Sequence, residues 1–146
     1  MLRKSVLVVV AAAVGAVVSV VHRLVPLAAR AGALPSPQTV AYVTQTGRFV
    51  SFLLVYGLLF GVAAWTGTEL DVRTEYASLT LATAASAAVG YLVGALALFA
   101  LAGVGRSQGV VLQVLFFVGP PLGTGLSLGV VALAGVAVGH FRTTPA

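Results

Sequence analysis

The chain predicts an all-α fold, an integral membrane four-helix bundle forming a single transmembrane domain over residues 1–146. Two observations carry this. First, its eight Lys or Arg and three Asp or Glu side chains all lie outside four apolar stretches, residues 5–21, 49–66, 77–105 and 109–139. Second, 60% of residues are hydrophobic and 8% charged, where about a quarter are charged in soluble domains. A soluble fold of this composition would lack the polar surface it needs. Four spans of about 20 residues each, with their connections, use these residues fully and leave no room among them for a soluble catalytic or sensory domain.

The first span is expected over about residues 5–25. Arg3-Lys4 precede seventeen uncharged residues, ten of them Val or Leu, which favour insertion by roughly 3–6 kcal/mol. Ala29-Arg30-Ala31 has the small-x-small form of a signal cleavage site, but the apolar run exceeds the usual signal core. The segment therefore reads as a retained helix. Pro26, Gly32, Pro35 and Pro37 are dense enough to end it and form the longest connection.

Ser36-Pro37 is a helix start, because Ser can cap free N–H groups while Pro takes the first helical position, where no N–H is needed. The second helix is thus expected to begin near residue 37, with its apolar part over 49–66. Gly67 is placed to close it in the left-handed conformation. Trp65 and Tyr76 flank the next connection, as in an interfacial aromatic belt. Thr68 or Asp71 could cap the third span, expected over 77–104. The short turn Arg106-Ser107-Gln108 makes the third and fourth spans antiparallel neighbours.

The fourth stretch, 109–139, would be about 46 Å long as one helix, against a hydrocarbon core of about 30 Å. Gly119-Pro120-Pro121 removes two backbone donors, so a kink or break is expected there.

The strongest motif is small residues four apart, which lie on one helix face and let two backbones approach closely. In the third span these are Ser78, Ala82, Ser86, Gly90 and Gly94; in the second, Gly57 and Gly61; in the first, Ala11, Gly15 and Ser19; in the fourth, Gly119, Gly123 and Ser127, with Gly125 and Gly129. The expected packing set is Gly57, Gly61, Ser78, Ala82, Ser86, Gly90, Gly94, Gly123 and Ser127. A second candidate site is the proline break. Freed carbonyls of a discontinuous helix bind solutes in transporters, and Gly119, Pro120, Pro121, Thr124 and Gln113 would form such a site here.

Chemistry is harder to place. Gly125-Leu126-Ser127-Leu128-Gly129 matches the nucleophile-elbow pattern, but that motif needs a strand-to-helix turn and a His base. This copy sits in an apolar helix, and His22 and His140 stand at span edges. Two isolated His fall short of a zinc ligand set, and no Cys is present for disulfides or clusters. No carboxylate or His lies within the four apolar stretches to couple protons. The expectation is no enzyme, no cofactor and no metal.

The net charge of +5 comes from single basic residues flanking the spans, the pattern of side chains that snorkel to headgroups. It offers no clustered stripe for nucleic acid. With the N-terminus inside, Arg3, Lys4, Arg73 and Arg142 face Arg23, Arg30, Arg48 and Arg106, four against four. Arg3 and Lys4 abut the first helix, which tilts the expectation towards both termini being cytoplasmic. One Lys against seven Arg suggests a GC-rich prokaryotic genome. The functional expectation is an accessory, scaffold or assembly subunit of the cell membrane, acting through helix packing. Its partners would be the lipid bilayer, further copies of itself or other membrane proteins, and no nucleic acid. The alternative is a small channel or carrier for a neutral or weakly polar solute, with the broken helix at 119–125.

Overall fold

The computed structural model describes residues 2–33, 36–68, 72–102 and 110–143, with side chains at all of these except 2, 30, 72–76, 102, 110–117 and 143. The turn at 106–108 and the Asp71 cap lie outside these residues. The described chain forms an all-α bundle with four helices long and apolar enough to cross a membrane.

The first helix, α1 (Leu2–Arg30), continues past the expected end near residue 25 with Pro26 inside it. Proline removes the donor that His22's carbonyl would otherwise receive. Both residues are exposed near the helix end, where water or headgroups can serve that carbonyl. The helix stops at Gly32, whose φ of +69° is the left-handed cap conformation. The N–H groups of Gly32 and Ala33 donate to the carbonyls of Ala29 and Ala28, the paired bonds of a Schellman ending. Its buried stripe is Leu7, Ala11, Val14, Gly15, Val18 and Ser19, at three- and four-residue steps.

The second span starts as α2 (Pro37–Phe52). Ser36, in extended conformation, accepts a 3.2 Å bond from the Thr39 N–H. The span is not one regular helix. Residues Leu53–Leu59 form a π-helical stretch, in which the Phe60 N–H reaches back five residues to the Val55 carbonyl. The α-helix resumes as α3 (Phe60–Gly67). Gly67 does not take the expected left-handed conformation. It is helical and buried, with no room for a side chain against the Val136 backbone. Thr68 closes this span instead of capping the next, its hydroxyl donating to the Trp65 carbonyl at 2.8 Å.

The third and fourth spans are α4 (Val72–Ala102) and α5 (Val110–Thr143). Of the kink or break expected at Gly119-Pro120-Pro121, no break occurs: α5 is helical throughout with both prolines inside. Consecutive prolines at one point free only the Phe116 and Phe117 carbonyls. Packing of the long stripe Pro121, Gly125, Leu128, Gly129, Ala132, Gly135, Val136 and Gly139 holds the helix on either side together.

Glycines set the register between helices. A Cβ on Gly90 would collide with the Ala12 carbonyl, and one on Gly94 would lie 2.6 Å from that of Ala16, so α1 and α4 run parallel. A Cβ on Gly125 would sit 2.8 Å from the Ala84 carbonyl, and one on Gly129 2.9 Å from the Ala84 side chain and near Thr80, so α4 and α5 are antiparallel. Gly135 lies against Phe60 and Ala63, and Gly139 against Ala64, which makes α3 and α5 parallel. Around the bundle the order is α1, α4, α5, then the second span, which returns to α1 through looser contacts.

Candidate functional site

The small residues of α4 do not share one face. Gly90 and Gly94 are buried against α1, Ser86 is half-buried, and Ser78 and Ala82 are exposed. Each four-residue step overshoots a full turn by about 40°, so five residues in that register swing through about 160°. The stripe that α4 buries is Leu79, Thr83, Ala87, Gly90, Tyr91, Gly94 and Ala95, which mixes three- and four-residue steps and stays in phase.

The expected glycines of the second and fourth spans are placed differently again. A Cβ added at Gly57, Gly61, Gly119 or Gly123 would meet nothing within 4 Å. Gly57–Gly61 and Gly119–Gly123 are thus two pairs, four apart, that face outward. Beside Gly57 lie the exposed side chains of Phe52, Leu53, Tyr56 and Leu58, with the Phe52 and Tyr56 rings 4.7 Å apart. Ser127 is exposed too, and its hydroxyl donates to the Gly123 carbonyl at 2.8 Å.

The residues of the proposed solute site do not converge on an opened segment. Gly119 is exposed, Pro120 and Thr124 are half-buried, and Pro121 is buried in the α5 stripe. The Gln113 side chain lies outside the described residues. His22 is exposed on α1, and His140 is half-buried near the end of α5.

Two buried hydroxyls depart from the usual helical pattern. Helix hydroxyls normally donate to a carbonyl three or four residues earlier, and Thr44, Thr66, Thr83, Ser86 and Ser127 do so. Ser19 and Ser51, 0% and 8% exposed, have hydroxyls with no partner. Among the described residues α2 packs on no helix but α1, apart from its own continuation, so Ser51 is buried against α1. Arg3 beside Thr68 at one end and Val21 beside Gly47 at the other fix an antiparallel register. That register puts Ser51 at the depth of Ser19 but not beside it: Ser19 continues the Gly15 face that meets Ala87 of α4, about 160° round α1 from Val21.

Arg23 follows Ser19 by one turn on the same face of α1. Its guanidinium lies 5.7 Å from the Tyr91 ring centroid and 5.2 Å from that of Phe99, and its Nε is buried without a partner. Tyr91 is 4% exposed and rooted midway along the 77–105 stretch. Arg23 therefore turns inward along the bundle instead of outward to the headgroups, consistent with helical side chains leaning towards the N-terminus. Rings hold it there by cation–π attraction. The spacing Ser19–Arg23 was legible in the sequence; the missing hydroxyl partners and the inward turn were not.

These features place the chain among multi-pass membrane proteins by its helices alone. Comparison with protein-family models, with curated proteins and with solved structures finds no match for it.

Proposed function

We propose that this protein is a non-enzymatic subunit of the cytoplasmic membrane that works through helix packing, assembling with a second copy of itself. The observation that supports this most directly is the open Gly57–Gly61 pair. The inward-facing glycines Gly15, Gly67, Gly90, Gly94, Gly125, Gly129, Gly135 and Gly139 all abut a neighbouring helix, and this pair abuts nothing. A glycine pair four apart is self-complementary across a two-fold axis, since each backbone fits the groove of the other. Phe52, Tyr56 and Leu58 beside it offer apolar side chains to the same partner. Arg3 and Lys4 against the first helix favour cytoplasmic termini.

Mass measurement in lipid nanodiscs tests the reading. The wild type is expected as a dimer and the Gly57→Leu/Gly61→Leu variant as a folded monomer. A wild type that stays monomeric across lipid-to-protein ratios would overturn self-assembly. The carrier alternative has less support, because α5 runs helical through Pro120-Pro121 and Pro121 is buried.

A further inference from the structure

We infer that the π-helical stretch Leu53–Leu59 is a rotary joint. It holds one surplus residue that keeps the two packing faces of the second span in phase, and straightening it to α-helix turns α2 by one residue on α1 while α3 stays fixed.

The spacing of the two faces requires the surplus. α2 meets α1 at Gly47, where a Cβ would lie 2.8 Å from Val21 Cγ1, and at Ser51, its buried residue. α3 meets α5 through Phe60, Ala63, Ala64 and Gly67, which abut Gly135, Gly139 and Val136. The second span stands between α1 and α5 in the ring of helices, so its two faces must point roughly at right angles. Ala63 lies 16 residues after Gly47, and Gly67 lies 20 after it. At about 100° per residue, an unbroken α-helix would set them about 160° and about 200° round from Gly47. Opposite faces cannot serve adjacent helices. A π turn closes one residue further back than an α turn, as the Phe60 N–H does on the Val55 carbonyl. The stretch therefore absorbs about one residue, or about 100°, and brings the faces to about 60–100° apart.

The two sides of the joint are held unequally. Gly67 on Val136 and Gly139 on Ala64 put backbone against backbone. α2 has only a glycine against a valine methyl and a serine whose buried hydroxyl has no partner. Straightening the stretch moves α2 away from α3 by the rise and rotation of one residue, so Arg48 takes the seat of Gly47 and Phe52 that of Ser51. The exchange covers a ring that is 55% exposed and lets the Ser51 hydroxyl turn to a carbonyl of its own helix. Against it, the Arg48 stem must displace the Val21 side chain. Each register has one good seat and one poor one, as two accessible packings of one helix require.

The chain has no native cysteine, so disulfide trapping of the full chain in lipid nanodiscs reads the register. Val21→Cys is paired in turn with Thr46→Cys, Gly47→Cys and Arg48→Cys, the Gly47 seat being close enough for the bond. Gly47→Cys is expected to react fastest. Arg48→Cys should react about 10–1,000-fold more slowly, the range for a minor state, and Thr46→Cys, which neither register brings to Val21, more slowly still. Arg48→Cys reacting no faster than Thr46→Cys overturns the moving joint. Deletion of Leu58, an exposed residue of the stretch, removes the surplus itself. That variant is expected to keep the thermal stability and the Gly47→Cys reaction, while Arg48→Cys falls to the level of Thr46→Cys. A deletion variant that does not fold, or that folds without the Gly47→Cys reaction, overturns the phase correction.

Discussion

The two halves of the second span differ more than any two helices of the bundle. In α3, Ala63, Thr66 and Gly67 are buried, and glycines on both sides bring this segment into backbone contact with α5. In α2, Ser51 alone is buried, while Tyr42, Phe49, Val50 and Phe52 are exposed. The change falls at the π-helical stretch Leu53–Leu59. The α2 half is also the more polar, with Gln38, Thr39, Thr44, Gln45, Thr46 and Arg48 against the single Thr66 of α3, but apolar character alone does not make a helix pack in lipid. Lipid is as apolar as leucine, and what α3 offers that lipid cannot match is close approach.

That contrast can be broken most forcefully from the packed side. Gly90→Ala or Gly139→Ala places a Cβ against a neighbouring carbonyl, and neither backbone can move without displacing a helix. Each is expected to lower stability by about 3 kcal/mol or more, the upper range for overpacking, measured by reversible unfolding in mixed micelles. A middle-sized effect is expected where α1 meets the packed half of the second span. Arg3→Gln removes the contacts with Trp65 and Thr68 and should cost about 0.5–1 kcal/mol in the same assay. The smallest effect belongs to the open face. Gly57→Ala in the monomer should change stability by under about 0.5 kcal/mol; a loss as large as that for Gly90→Ala would show that the two faces do not differ.

Much of the architecture is readable from charge and length, because the bilayer requires long apolar helices and the chain has four charge-free stretches to supply them. The Ser36-Pro37 start is readable for a local reason, since capping depends on the two residues themselves. Which glycines pack is less accessible. Spacing of four identifies a shared face over two turns, but along Ser78–Gly94 the accumulated rotation carries the early residues off it. Prolines mislead in the other direction. Pro26 and the Pro120-Pro121 pair promise interruptions, yet all three sit inside continuous helices, because packing around Pro121, and exposure of Pro26 and His22 near a helix end, make up for a few lost bonds. Among the described residues the irregular helical stretch, Leu53–Leu59, contains no proline, and nothing in its composition announces it.

The order of helices around the bundle bears on how the protein is made. The partner of α1 is α4, and the residue that fits against Gly15 is Ala87, about 70 residues later in the chain. While the ribosome is still supplying the third span, the first hairpin has its loose α1–α2 contacts but not its close ones. The second span waits longer still, since α3 gains its close neighbour only when α5 arrives. Consolidation should therefore come late and together, with the first two spans inserted but open to lipid, and to quality-control proteases, until the last helix enters.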